Sequence, residues 1–260
     1  MEFHFAAGLS YRGTAFNGWQ RQPGLPTVQG TVEQALSRIA DHDIGLSVAG
    51  RTDAGVHATG QVIAFTSPVN RSPEVWQRGL NGLTPDGIRV NWVQAVDAAF
   101  HPRYRATART YQYVFFDQAR ENPFLQELAW CTDALNADRM HQQAQSLLGE
   151  QDFSSFRAAG CQSLTPFRRV DRCEVRRCGG LVVMEITANA FLLHMVRNIA
   201  SALRDIGRDH DVESMASRLG RRDRRKLGIT APPQGLYLVQ VAYPEQAFPE
   251  SPQPSFLPDY

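Results

Sequence analysis

The stretch Thr27-Val28-Gln29-Gly30-Thr31-Val32-Glu33-Gln34-Ala35-Leu36-Ser37-Arg38-Ile39 reads as one helix. Val28, Val32, Leu36 and Ile39 recur at spacings of three and four, so they share a face and give one apolar stripe for a core. Thr27 stands where a hydroxyl caps the first turn, and Gly30 is tolerated so near the start. Upstream, residues 3–11 read as a strand, followed by a polar, glycine-rich loop from Arg12 to Pro26 that carries Phe16 and Trp19 among turn formers. Downstream, a second strand around 46–50 leads into a loop from Arg51 to His57, and the alternation in Gln61-Val62-Ile63-Ala64-Phe65 makes a third strand. The stretch is therefore the helix of a strand-helix-strand-strand unit.

The same order returns further along. A short helix after Pro73 carries Val75, Trp76 and Leu80, and a strand from Ile88 to Val96 closes the first half. Arg109 to Phe116 opens another strand, and a helix from Asn136 or Ala137 through Leu148 presents Met140, Ala144, Leu147 and Leu148 to a core. Strands at about 169–178 and 181–188 flank Gly179-Gly180 in a hairpin turn, a long helix runs from roughly 190 to 206, and the last strand is Gly235 to Ala242. The expected fold is α+β: two similar strand-helix-strand-strand halves forming a continuous, mainly antiparallel sheet flanked by helices, with a central cleft. The expected division is residues 1–104, 105–244 and a proline-containing tail, 245–260, that is extended or mobile.

Composition sets the outer limits. The chain has 260 residues, 43% of them hydrophobic and 20% charged, which suits a folded chain with a sizeable core and argues against disorder or a fibrous protein. No tract has the apolar length of a membrane span, and Met1-Glu2-Phe3-His4-Phe5 lacks the pattern of a secretory signal, so a cytoplasmic protein without a membrane partner is expected. Cys131, Cys161, Cys173 and Cys178 form no CxxC pair and have no histidine at zinc-finger spacing, so neither a disulfide nor a structural zinc is expected. The net charge is only +1, yet nearly every cation is arginine, Lys226 being the sole lysine. The arginines cluster at 103–109, 168–177 and 218–226, while acids such as Glu245 and Glu250 collect elsewhere, so a basic face is compatible with the balanced total.

In Ala49-Gly50-Arg51-Thr52-Asp53-Ala54-Gly55-Val56-His57, glycines flank a charged cluster between two apolar strands. Such a turn suits a catalytic carboxylate, but by its residues alone Asp53 reads more readily as a turn former bonded to its own backbone. His57 has no metal partner or nucleophilic serine beside it in the sequence, and a structural role is the plainer reading.

This segment resembles the catalytic-loop motif of the TruA-type tRNA pseudouridine synthases. Further stretches resemble that family in order: Tyr11 to Gln22 with Gly18-Trp19-Gln20-Arg21-Gln22, Arg109-Thr110-Tyr111-Gln112-Tyr113, Asp152-Phe153-Ser154-Ser155-Phe156-Arg157, Phe191 to Ile199 with His194-Met195-Val196-Arg197-Asn198, and Ala231-Pro232-Pro233-Gln234-Gly235-Leu236-Tyr237-Leu238. The likeness covers about residues 3–244. Val48 departs from it, since many relatives carry a cysteine there, but that cysteine has no implied catalytic part.

The resemblance implies conversion of uridine to pseudouridine at positions 38 to 40 of the tRNA anticodon stem and loop, with a central RNA-binding cleft. It implies that the first half carries the catalytic aspartate, Asp53, and that the second half completes the site. An ionised carboxylate beside the sugar either attacks as a nucleophile or removes a sugar proton, and the sequence does not choose. Arg197 is implied to pair with Asp53, favouring its charged form and fixing its direction. Tyr111 is implied to stack on the target uracil, while Tyr113 keeps a core reading, and Leu236 is the apolar residue that helps to exclude water. For Arg51 three readings stand open: filling the place left by an extruded base, contacting a phosphate, or bonding within the turn. Arg21, Arg103, Arg105 and Arg168 are further candidates for phosphate contact. The resemblance also implies a homodimer with tRNA as its partner. No metal, nucleotide or organic cofactor is expected, since an isomerisation consumes nothing and the chain has no phosphate-binding glycine pattern.

Overall fold

A computed structural model describes residues 2–118, 122–209, 212–254 and 256–257. The chain divides into two compact units, one made of Met1–Thr107 with Tyr237–Phe256 and the other built on Ala108–Leu236.

In the first unit, β1 (Phe3–Tyr11) pairs antiparallel with β3 (His57–Ser67) on one side and β4 (Ile88–Ala95) on the other, and β2 (Leu46–Val48) pairs antiparallel with β3. Helices α1 (Val28–Ala40) and α2 (Pro73–Leu83) pack together. The stripe expected for α1 is present in Val28, Val32 and Leu36, which are buried, while Ile39 is half-buried; the Gly30 N–H donates to the Thr27 hydroxyl, 3.3 Å away, as an N-cap. Strand alternation separates the two faces. Phe5 stacks on Phe65 and both meet Trp76 of α2, whereas Ala6, Val62 and Trp92 form a second cluster with Ala49. Against that second cluster lies the tail expected to be extended: residues 243–254 form neither helix nor strand, yet Phe248 stacks on Trp92 at 4.5 Å and packs against Phe100 and Tyr243. Ser255 and residues 258–260 of that tail lie outside the described residues. The strand β10 (Leu236–Ala242) returns to this unit, where Tyr237 and Leu238 pair in parallel with His57 and Ala58.

The second unit repeats the order strand, helix, hairpin, helix. Its first strand β5 (Ala108–Phe116) pairs antiparallel with β9 (Leu181–Ala188), which forms a hairpin with β8 (Phe167–Cys178). Gly179, at φ +58°, turns that hairpin. This matches β1 pairing with β3 and β3 with β2. Helix α3 (Ala137–Ala144) precedes the hairpin and α4 (Met195–Arg208) follows it, as α1 and α2 do in the first unit. Additions to the pattern are β6 (Trp130–Cys131) on β5, β7 (Gly149–Asp152) on β8 and the short α5 (Met215–Gly220). The fold is thus α+β with mainly antiparallel strands. Two helix limits differ from expectation. The α-helix ends at Ala144 and tightens into a 3-10 turn over Gln145–Leu147, and α4 begins at Met195 because His194 takes a left-handed conformation, φ +59°, just before it. Among the described residues no helix is long and apolar enough to cross a membrane.

Candidate active site

The Asp53 turn is fixed by its neighbours from several sides. The Val56 N–H donates to the Asp53 carbonyl at 3.1 Å, and Gly55 takes φ +80°, so the chain reverses immediately after the carboxylate. The Trp19 N–H donates to the Thr52 carbonyl at 3.0 Å, which ties the turn to the loop between β1 and α1. Two glycines of that loop let it approach so closely. A Cβ on Gly18, itself at φ +84°, would stand 3.0 Å from both Thr52 O and Ala54 N, and one on Gly13 would stand 1.9 Å from Val56 O.

Side chains brace the same turn from beneath. The Tyr11 and Thr52 hydroxyls share a hydrogen bond of 2.8 Å, and the Gln61 amide donates to the Tyr11 oxygen at 3.2 Å and to the Gly50 carbonyl at 2.7 Å. Burial raises the Tyr11 phenol to about 12 despite the opposing hydrogen bonds from Thr52 and Gln61, so it stays neutral. His57 is buried, accepts the Gly13 N–H at Nδ1 over 3.2 Å, and stacks on Tyr237 with ring centres 4.6 Å apart. It thereby fastens the end of the loop. Within this frame Asp53 is half-buried and Arg51 exposed. Tyr11 and Gln61 were not singled out as support for the site. The signal in Gln61 was available, since a polar side chain at an inward strand position calls for partners.

Tyr111, Arg197 and Leu236 stand in the second unit. Arg197 lies in the first turn of α4, where a positive charge adds to the positive end of the helix dipole and makes the place attractive to an anion. Its Nε donates to the Ala231 carbonyl at 2.7 Å, while the Ala231 N–H donates back to the Arg197 carbonyl at 3.4 Å. The Tyr111 ring is half-buried and meets Phe191, in the segment leading into α4, edge to face at 5.1 Å. Tyr113, two residues on, is fully buried and its hydroxyl donates to the Pro232 carbonyl at 2.8 Å, so it is a core residue and burial raises its phenol. Leu236 is buried at the start of β10.

The arginine clusters are less available than their number suggests. Arg168 is buried, its guanidinium bonded to the Thr165 and Phe167 carbonyls and to the Ser163 hydroxyl, so it braces a turn and does not fit the phosphate-contacting role expected of it. Arg177 holds the buried Asp117 in a two-pronged pair at 2.9 and 2.6 Å. Burial alone would raise that carboxyl, but the Arg177 hydrogen bonds keep it below its ordinary value. Arg218, Arg221 and Arg225 pair with Asp205, Glu213 and Asp223. Glu245, read as lying away from the basic clusters, pairs with Arg105 at 3.1 Å. Arg21 reaches Glu33 at 3.1 Å while remaining largely exposed, and Arg103 is exposed beside Tyr104. Among the described residues no group of three or more histidine, cysteine or acidic side chains is arranged to hold a metal.

Residues 7–105 and 143–244 match the family described as tRNA pseudouridine synthase. Those ranges include Arg51, Asp53, Arg197 and Leu236; Tyr111 falls between them. Proteins called tRNA pseudouridine synthase A from Shewanella sp. (strain W3-18-1) and Shewanella baltica (strain OS185) are each 49% identical over 243 residues, covering 93% of this chain and 93% of theirs. A solved Cbf5-Nop10-Gar1 complex is similar at a TM-score of 0.36 and 12% identity, over 77% of this chain and 45% of that one.

Proposed function

From the premise that the chain belongs to the tRNA pseudouridine synthase family, whose members isomerise uridine in tRNA, we propose that Asp53 is its catalytic carboxylate and that its targets are positions 38 to 40 of the anticodon stem and loop. The observation that carries the reading is the Asp53 turn, a half-buried carboxylate on a backbone clamped by Gly13, Gly18, Trp19, Tyr11 and Gln61. Fixing a reacting group in advance removes the entropy of orienting it from the barrier.

The reaction breaks the bond from C1′ of the ribose to N1 of uracil, turns the base, and joins C1′ to C5, which then loses its proton. Asp53 acts on the sugar, as nucleophile at C1′ or as the base that takes a sugar proton. Arg197 pairs with the carboxylate and aims it; the bond from its Nε to Ala231 sets the plane of the guanidinium fork. Tyr111 stacks on the uracil, its ring held edge-on by Phe191. Leu236 keeps water from the reacting bond. Arg51, exposed beside Asp53, takes the place of the extruded base, a reading its exposure supports over a bond within the turn. Residues 1–104 thus supply the carboxylate and residues 105–244 the groups that orient it and hold the base. The reading extends to a cytoplasmic homodimer in which one subunit grips the tRNA body while the other acts on the anticodon arm; the family resemblance supports it.

Mapping pseudouridine in unmodified tRNA after incubation with the protein tests this. Product at 38 to 40 is expected from the wild type, and Asp53→Ala should slow it by about four orders of magnitude or more. Equal product from the variant would remove Asp53 from the chemistry, and product only outside the anticodon arm would change the substrate.

A further inference from the structure

The loop that carries Ala231 is held by side chains that have no part in the reaction as described. Arg224 gives four hydrogen bonds: Nη1 donates to the Leu227 and Gly228 carbonyls at 3.1 and 2.9 Å, and Nη2 to Asn198 Oδ1 and Thr230 Oγ1, both at 3.0 Å. Asn198 is buried and follows Arg197 on α4. Its Oδ1 also accepts the Thr230 hydroxyl at 2.8 Å, and its Nδ2 donates to the Phe156 carbonyl at 2.8 Å, so both ends of the amide are satisfied. Ala231, the next residue after Thr230, then meets Arg197 twice, through Nε and through the main chain.

A closed ring results. It runs from Arg197 to Asn198 along the helix, across to Arg224 and Thr230, one residue on to Ala231, and back to the Arg197 Nε. Each link is a hydrogen bond or a peptide bond, so the Ala231 carbonyl cannot move without disturbing the Asn198 hub. An arginine side chain has several rotatable bonds and is otherwise costly to hold in one pose. Here the ring sets the Nε direction, and with it the orientation of the terminal fork.

We propose that Arg224, with Asn198 and Thr230, is the positioning set for Arg197: it does not touch the substrate, and its effect on the rate passes entirely through the aim of the Arg197 guanidinium. This rests on the catalytic role proposed above for Arg197. The side chain best suited to the task is arginine, because two carbonyls and two side-chain oxygens must be bridged by one planar group.

A double-mutant cycle tests the dependence. Single-turnover rates of pseudouridine formation at saturating enzyme would be measured for the wild type, Arg224→Ala, Arg197→Ala and the double variant, with tRNA affinity measured separately. Arg224→Ala should lower the rate about tenfold in the wild-type background, and less than about twofold when Arg197 is already alanine, with tRNA affinity changed less than the rate. An equal loss in both backgrounds would show a general structural role and overturn the proposal, as would an unchanged rate in folded Arg224→Ala. Should Arg224→Ala not fold, the cycle runs with Thr230→Val, which removes both hydrogen bonds of the Thr230 hydroxyl, from Arg224 and to Asn198, and keeps the shape; a smaller loss confined to the Arg197 background is expected, and equal losses again overturn the idea. The two readings fail separately. A wild-type rate in Arg197→Ala would sink the role of Arg197 itself, whereas a slow Arg197→Ala combined with additive Arg224 effects would sink only the positioning set.

Discussion

The Asp53 turn and the Arg197 end of α4 each hold one charged side chain, and they hold it by different means. The turn is fixed largely through main-chain contact, with Tyr11 and Gln61 as side-chain braces: Gly13 lies against Val56 at a distance that leaves no room for a Cβ, and Gly18, at φ +84°, sits where one would be tight and strained. The helix end is fixed through side chains, with Asn198 and Arg224 bonded to each other and to a loop. The group proposed to perform the chemistry therefore sits on a turn where one added methyl, at Gly13, is a clash. The group proposed to aim it sits in a hydrogen-bond ring that weakens by degrees.

The largest effect should come from breaking the main-chain side. Gly13→Ala places a methyl against Val56 O and must displace the turn or the strand behind it, and because a misplacement of about 1 Å costs on the order of a hundredfold, the turnover should fall by about that factor with a smaller change in tRNA affinity. A turnover equal to wild type would show that the close packing does not set the carboxylate's position. Next comes the side-chain side. Arg197→Ala removes a charged hydrogen-bonding partner worth roughly 1.5–3 kcal/mol, so kcat should drop by about ten- to a hundredfold while the Kd for tRNA moves much less. A loss appearing in Kd alone would recast Arg197 as a phosphate contact.

Tyr11→Phe sharpens the comparison by removing a side-chain brace from the main-chain-built region. It deletes the shared bond with Thr52 and the bond from Gln61, and should cost about 1–2 kcal/mol at neutral pH, read as a lower urea midpoint. The pH dependence has a definite sign. Burial raises the Tyr11 phenol from 10.0 to about 12, so the folded state favours the neutral form; that contribution is whole below pH 10 and is lost as pH rises through about 12. Wild type should accordingly lose more stability than Tyr11→Phe across that interval. Parallel losses in the two proteins would mean that Tyr11 is not held neutral by the fold. The smallest effect concerns the surface. Arg103→Ala should reduce the salt dependence of tRNA binding by about one unit of slope, and Arg168→Ala, whose guanidinium is turned inward, should leave that slope unchanged while lowering stability. The opposite assignment would require the turn at Ser163–Phe167 to open on RNA.

Much of this was legible in the sequence where a single periodicity ruled. The period of Val28, Val32 and Leu36 located α1, and β1, β4, β5 and the β8–β9 hairpin fall where alternation and Gly179-Gly180 place them. Helix α4 was read as starting near 190 because Ala190 and Leu193 continue the spacing of Val196 and Ile199 backward; residues 190–194 are not helical, His194 is left-handed, and nothing local demands that conformation. Strand β3 begins at His57, earlier than its alternating core suggests, since His57 and Ala58 are ordered by strands far away in the chain. The same limit applies to the site. The Asp53 loop reads as a turn by its own residues and stood out through its resemblance to a family motif, whereas the network of Asn198 with Arg224 and Thr230 joins a helix to a separate loop, and to Phe156 beyond, and carries no periodicity. Charge counting misled for a related reason: the sequence shows where arginines cluster, and the fold decides that Arg168, Arg177 and Arg218 bond inward.

The return of β10 bears on how the protein is made. Tyr237 lies in parallel beside His57 and stacks on its ring, and Phe248 covers Trp92, so the first unit stays unfinished until residues 237–248 have left the ribosome. Before that point a nascent chain already carries Asp53 and its glycine clamp but lacks the β10 partner of the His57–Ala58 end of β3. A chain truncated before residue 237 would therefore carry an Asp53 loop that lacks one of its fastenings, the Tyr237 ring on His57.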